Sequence, residues 1–145
     1  MNKDDLVQEV FDKYRHEAEK DINLVPEPER TLMVIYNAHG IIGNGGFRYF
    51  FENNFEGIED YNIFIKCYLN LNLPNHAEAI EKILSLFPNN KPHEKLEKRN
   101  KFLEKYFDSE SRKFAPIVDW AEDIFYKNYN DVFNKAIEYY NENKT

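Results

Sequence analysis

Histidine, cysteine and serine are the side chains through which this chain could do acid–base, nucleophilic or metal chemistry, and their spacing assembles no such site. His16, His39, His76 and His93 form no HExxH, and no two share a helical face at i,i+4, so zinc has no ligand pair. His76-Ala77-Glu78 has the local form of the zinc deaminases, but their Pro-Cys-x-x-Cys half is missing because Cys67 is the only cysteine. Asp12 and His16 stand one turn apart, which reads as a surface contact rather than a base and its orienting group. Ser85, Ser109 and Ser111 lie in no GxSxG elbow. Cys67 sits in Ile63-Phe64-Ile65-Lys66-Cys67-Tyr68-Leu69, an apolar setting that reads as a packed thiol with a raised pKa. Paired carboxylates are plentiful, but nothing anchors them in space for glycosidase chemistry. The reading is a non-enzymatic chain with no catalytic residue, no metal site and no cofactor.

One segment does stand out. Gly43-Asn44-Gly45-Gly46-Phe47 gathers three of the chain's five glycines. Glycine reaches positive φ without steric penalty, and Asn tolerates it best among the rest, so the composition suits a helix that stops and restarts sharply. On this reading Asn44, Gly45, Gly46, Phe47, Phe50, Phe51 and Asn53 belong to a structural turn that wedges two helices together, with the three Phe rings in the core. The alternative is a loop whose N–H groups bind an anion at the next helix start. It would make the chain a small-ligand binder or enzyme centred on residues 44–47, with a pocket near His39, Asn44 and Arg48. Against a nucleotide site stand the missing preceding strand, the missing Lys-Ser/Thr pair and the incomplete GxGxxG run. His39, just before the turn, reads as a satisfied histidine at a helix end.

The elements that must position this turn are helical. Apolar residues recur at the 3.6-residue period and no long alternating segment suggests a sheet. The first helix is predicted over residues 4–20, with Leu6, Val7, Val10, Phe11 and Tyr14 on one face. The second, after Pro26 and Pro28, carries Leu32, Ile35, Tyr36 and His39 and ends near Gly40 or Gly43. A short aromatic helix over 46–52 follows, then one over 58–71 burying Tyr61, Phe64, Ile65 and Tyr68. Pro74 starts the next, with Ile80, Ile83, Leu84 and Phe87 inward and Pro88 ending it. Pro92 opens a helix to Phe107 with Leu96, Leu103, Tyr106 and Phe107 inward. A polar connection spans 109–115. Pro116 begins a helix that offers Ile117, Trp120, Ala121, Ile124 and Phe125 to the core, and the last covers 131–141. The fold class is all-α: one compact domain over 1–145, a bundle of about seven or eight helices.

Composition agrees. A chain that is 42% hydrophobic and 16% aromatic has surface to bury, which argues against disorder. No run approaches the roughly 20 apolar residues of a membrane helix, and the acidic N-terminus carries no signal-like stretch, so the expected location is cytoplasmic. The net charge of −7 divides into −7 over residues 1–90, +3 over 91–113 and −3 over 114–145. The mildly basic stretch is interrupted by Glu94, Glu97 and Glu104 at helical spacing, the pattern of solvated i,i+4 pairs and not of a phosphate track. Direct nucleic-acid binding is not expected.

The sequence also resembles a known family. Asn44-Gly45-Gly46-Phe47, followed by Phe50, Phe51 and Asn53, is similar to the signature of the bacterial DNA-mimic-protein family, all-helical domains of mostly unknown function. Residues 77–88 resemble its Ala-rich helix ending in Leu-Phe-Pro. Asp119, Phe125, Tyr126, Asp131 and Tyr140 resemble its C-terminal pattern. The resemblance runs from Thr31 to the end and departs at Ile41, where a Glu is usual, and at Tyr49, where a Gln is usual. It implies a helical domain that binds another protein, with carboxylates imitating phosphates.

Residues that could build such a surface are Asp5, Glu9 and Asp12 on the first helix, with Asp4, Glu17, Glu19 and Asp21 beside them. Glu52, Glu56, Glu59 and Asp60, with Glu27 and Glu29, would extend it if the fold brings them together. Lys13, Arg15 and Lys20 sit within the first set, and a solvated outer face is the plainer reading. The expected partner is a basic DNA-binding protein or, equally served by an acidic face, a basic toxin neutralised by an immunity-type inhibitor.

Overall fold

Helix α1 (Lys3–Lys20) starts where the Asn2 side-chain oxygen accepts the Asp5 N–H at 2.8 Å, filling one donor that a helix start leaves unpaired. Asp4 and Asp5 in its first turn and Lys20 in its last complement the helix dipole. Val10 is its one buried residue, and Leu6, Val7, Phe11 and Tyr14 are half-buried, so α1 lies on the outside of the body. The structure, a computed structural model, describes residues 2–108 and 113–145. Among them are seven α-helices, two short 3-10 turns and no strand, packed as one body. Ser109 and Ser111, with most of the 109–115 connection, lie outside the described residues.

Helix α2 (Glu29–Glu52) is the central element and touches α1 and, later in the chain, α3, α5, α6 and α7. It does not end at Gly40 or Gly43. A glycine costs about 1 kcal/mol inside a helix, which the buried Leu32, Ile35, Ala38 and Ile42 offset many times over. The break comes at Gly45 (φ −153°, ψ 16°) and Gly46 (φ 68°, ψ −165°), after which the helix resumes. Phe47, Phe50 and Phe51 of the resumed segment are completely buried, as the motif predicts.

Helix α3 (Asn62–Asn70) begins later than periodicity suggests. Residues 53–61 form turns, with Gly57 at φ 80° and the Asp60 carboxylate accepting the Asn62 N–H at 2.9 Å. Gly57 lies so close to the Ala18 carbonyl that no Cβ fits, and its own carbonyl accepts the Ile22 N–H at 2.9 Å. That contact pins the turns to the end of α1. Helix α4 (Pro74–Leu84) opens at its proline, buries Ala77, Ala79, Ile80, Ile83 and Leu84, and packs on α3. Helix α5 (Leu96–Tyr106) is not opened by Pro92, because the chain is still extended at Lys95 (φ −78°, ψ 123°), and the His93 carbonyl accepts from the Arg99 guanidinium at 2.8 Å. Leu96, at the first turn, is 36% exposed and not inward as its spacing suggests.

Helix α6 (Ala115–Tyr126) carries Pro116 in its first turn as expected, but it is rolled from its predicted orientation. Val118, Ala121 and Phe125 face the core, whereas Ile117, Trp120 and Tyr126 are exposed. Apolar residues cover two adjacent stripes of this helix, and its neighbours select one. Asn128, at φ 53°, links it to helix α7 (Tyr129–Asn143), which buries Val132, Ala136 and Ile137 against α2. Lys3 of α1 donates to the Asn134 side chain of α7. Cys67 is buried, with its thiol pushed up to about 12, mainly by burial, and the Thr31 hydroxyl lies 3.7 Å from its sulfur. Among the described residues, no helix is long and apolar enough to cross a membrane.

Candidate functional site

The break in α2 leaves the Phe47 N–H at the start of a helical turn without an intrahelical partner. Glu122 of α6 supplies one: its Oε2 accepts that N–H at 2.8 Å. The place where an external anion would bind is thus filled by the chain's own carboxylate. Burial lifts the Glu122 carboxyl above its ordinary range, the Phe47 N–H pulls it back, and Asp119 and Asp123 push it further up. A Cβ at Gly46 would collide with Glu122 Oε2, so this position needs glycine both for its positive φ and for the close approach. Tyr126 Oη donates to the Ile42 carbonyl at 3.4 Å, and the Tyr129 ring lies where a Cβ on Gly43 would sit. The motif is a joint between α2, α6 and α7.

Asn53, the last motif residue, donates its side-chain amide to the Tyr49 carbonyl at 2.7 Å. The closing carbonyls of α2 are gathered by Arg99, which is 3% exposed. Its Nε donates to Phe51 O at 2.6 Å, and Nη2 donates to Asn53 O at 3.3 Å and to Asn54 Oδ1 at 2.7 Å. Arg99 therefore leaves the solvated set to which its basic stretch was assigned. One signal could have found it, since Arg99 stands one turn before Leu103 and two before Phe107 on the buried stripe. Glu97 and Lys101 do form an exposed i,i+4 pair at 3.7 Å, as that reading expects.

His39 is completely buried and lies inside α2, not at its end. Its Nδ1 lies 3.0 Å from Tyr68 Oη and its Nε2 lies 3.0 Å from the Tyr129 carbonyl. Nε2 must carry the proton it donates to that carbonyl, leaving Nδ1 to accept from the tyrosine. Burial, opposed by the Tyr129 bond and assisted by His76, lowers its pKa to about 4. His76, whose pKa burial also lowers, stacks on Tyr68 with its ring centroid 6.5 Å from that of His39. Sequence spacing gave no hint of this pair. Both His39 nitrogens are committed, and among the described residues no group of three metal-ligating side chains forms.

The acidic candidates fall into four places. Asp5, Glu9 and Asp12 are exposed along α1, and Asp12 accepts from Gln8 and Arg15, not from His16. Glu52 pairs with Arg48 at 3.1 Å, and the same guanidinium reaches Asp108 at 3.4 Å. Glu56 borders a groove of about 370 Å³ between α1 and α2 that also holds Arg15, Glu19 and Ile41. Glu59 and Asp60 border a wider cleft of about 1490 Å³ with Lys20, Asp21, Arg30, Lys66 and Glu81. Neither cleft is lined by His39, Asn44 or Arg48, so the turn opens into neither.

A family model described as DMP19-like protein matches residues 23–143. No curated protein and no solved structure matches the chain.

Proposed function

The chain belongs to the DMP19-like protein family, and from that premise we propose that it acts as a DNA mimic, binding a basic DNA-binding protein in place of nucleic acid. The observation that supports this reading most directly is the outer side of α1. Asp4, Asp5, Glu9, Asp12, Glu17, Glu19 and Asp21 are all exposed, and among the described residues only Asp12 has a cation within 4 Å, Arg15 at 3.3 Å. The seven carboxylates of α1 and its C-cap outnumber Lys3, Lys13, Arg15 and Lys20, and this excess raises the local negative potential and steers a cationic partner, as a phosphate backbone does. The activity sits on the surface, and the buried polar residues of the turn hold that surface in shape.

The test is capture from host lysate on the immobilised full-length protein at low salt, followed by elution in a salt gradient. The expected result is a basic DNA-binding protein, released as salt rises and competed off by duplex DNA. A triple variant, Asp5→Lys with Glu9→Lys and Asp12→Lys, should lose most of that binding while keeping its helical circular dichroism. Capture that neither salt nor DNA weakens would overturn the proposal.

A further inference from the structure

Helix α6 is buried on one side only. Beside the stripe of Val118, Ala121 and Phe125, the Ile117 and Trp120 side chains are each 38% exposed, and Tyr126, elsewhere on the helix, is 45% exposed. With Tyr49 beside the glycine break, they make up four of the seven large apolar side chains exposed among the described residues. Scattered surface apolar residues need no explanation, but a tryptophan and an isoleucine one turn apart on a well-packed helix are an uncovered face.

Asp119 and Asp123 adjoin Trp120 on the same helix. Among the described residues neither has a cation within 4 Å. Lys82 lies over the Trp120 ring at 4.9 Å and pairs with Glu78 at 3.4 Å, so it belongs to the α4 side. The face is also held still. Glu122 is tied to the Phe47 N–H and Tyr126 to the Ile42 carbonyl, so α6 cannot roll to bury Trp120 without breaking both bonds.

We infer that this face of α6 is the dock for a cationic amphipathic helix of the partner, with Ile117 and Trp120 covered by its apolar side and Asp119 and Asp123 meeting its Lys or Arg side chains. The inference rests on the DNA-mimic reading and adds an apolar contact to the acidic one on α1. Charge complementarity selects the occupant: uncompensated carboxylates along one side of an apolar strip match a helix that is basic on one side and apolar on the other. Aromatic residues at the centre of such a contact carry most of its affinity, and the charges around them set approach and salt dependence.

Trp120 is the only tryptophan, so its emission reports on this face without a label. The full-length protein is titrated with a synthetic amphipathic helix bearing Lys on one side and Leu on the other, and affinities are measured in parallel by calorimetry. The expected result is a blue shift of Trp120 emission that salt reverses. Trp120→Ala or Ile117→Ser should weaken binding by at least roughly tenfold with circular dichroism unchanged. Asp119→Asn with Asp123→Asn should flatten the salt dependence. Peptide binding that leaves Trp120 emission unmoved and is lost in the α1 triple variant would overturn this inference and leave the DNA-mimic reading standing. No salt-sensitive peptide binding, with a basic DNA-binding protein still captured from lysate, would overturn this inference alone.

Discussion

The Glu122 carboxylate accepts the Phe47 N–H at 2.8 Å, joining α6 to the restart of α2 across 75 residues of chain. Removing the acceptor strands a donor at a buried helix start. Glu122→Ala should therefore cost about 1–3 kcal/mol in urea denaturation, and Glu122→Gln, which keeps an oxygen in reach, should recover part of that. Equal stability of the wild type and Glu122→Ala would show that the bond contributes nothing.

Two glycines of α2 should respond in opposite directions. At Gly46 the conformation (φ 68°, ψ −165°) is closed to other residues and a Cβ meets Glu122, so Gly46→Ala should lose about 2–3 kcal/mol or more. At Gly40 the backbone is helical and a Cβ meets nothing within 4 Å, so Gly40→Ala should gain about 0.5–1 kcal/mol. Thermal melts of the two variants side by side make the comparison.

His39 should give the fold an acid limit. Its pKa falls from 6.5 to about 4 on folding, so the unfolded chain takes up the proton first and stability drops as pH falls through that window. The loss from this residue is about 3 kcal/mol, and His76 acts in the same direction. His39→Gln, uncharged throughout, should be less stable than the wild type at neutral pH and show a flatter decline on acidification. Urea midpoints across the pH range would reveal it, and parallel curves would remove His39 as the cause.

Arg99 should be the least replaceable charged residue. Arg99→Ala leaves the Phe51, Asn53 and His93 carbonyls and the Asn54 side chain without their donor, a loss of about 3 kcal/mol or more. Arg99→Lys should restore little, because an ammonium cannot reproduce the planar fork. A denaturation midpoint for Arg99→Lys matching the wild type would contradict this account.

What the sequence made legible was local. Prolines 74 and 116 marked helix starts, the 3.6-residue period marked every helix, and three glycines beside an Asn marked the break, because each signal lies within a few residues of its effect. The partners of the break were not legible. Glu122 reaches Phe47, and His39 meets His76, only after the chain has folded. The roll of α6 is not legible for a related reason: Ile117–Trp120 and Ala121–Phe125 are both acceptable core stripes, and only the second is buried once α2 and α4 choose between them. Helix α2 ran past Gly40 and Gly43 because burial on its other faces outweighs a weak local preference.

The burial of Cys67 has a practical corollary. With the chain's one sulfhydryl sealed in the core and its thiol at about 12, alkylating reagents have no native target in the folded protein. Any cysteine placed on the surface becomes a unique attachment point, so a crosslinker or spin label can be walked residue by residue along α1 and α6 without first engineering the protein to be thiol-free.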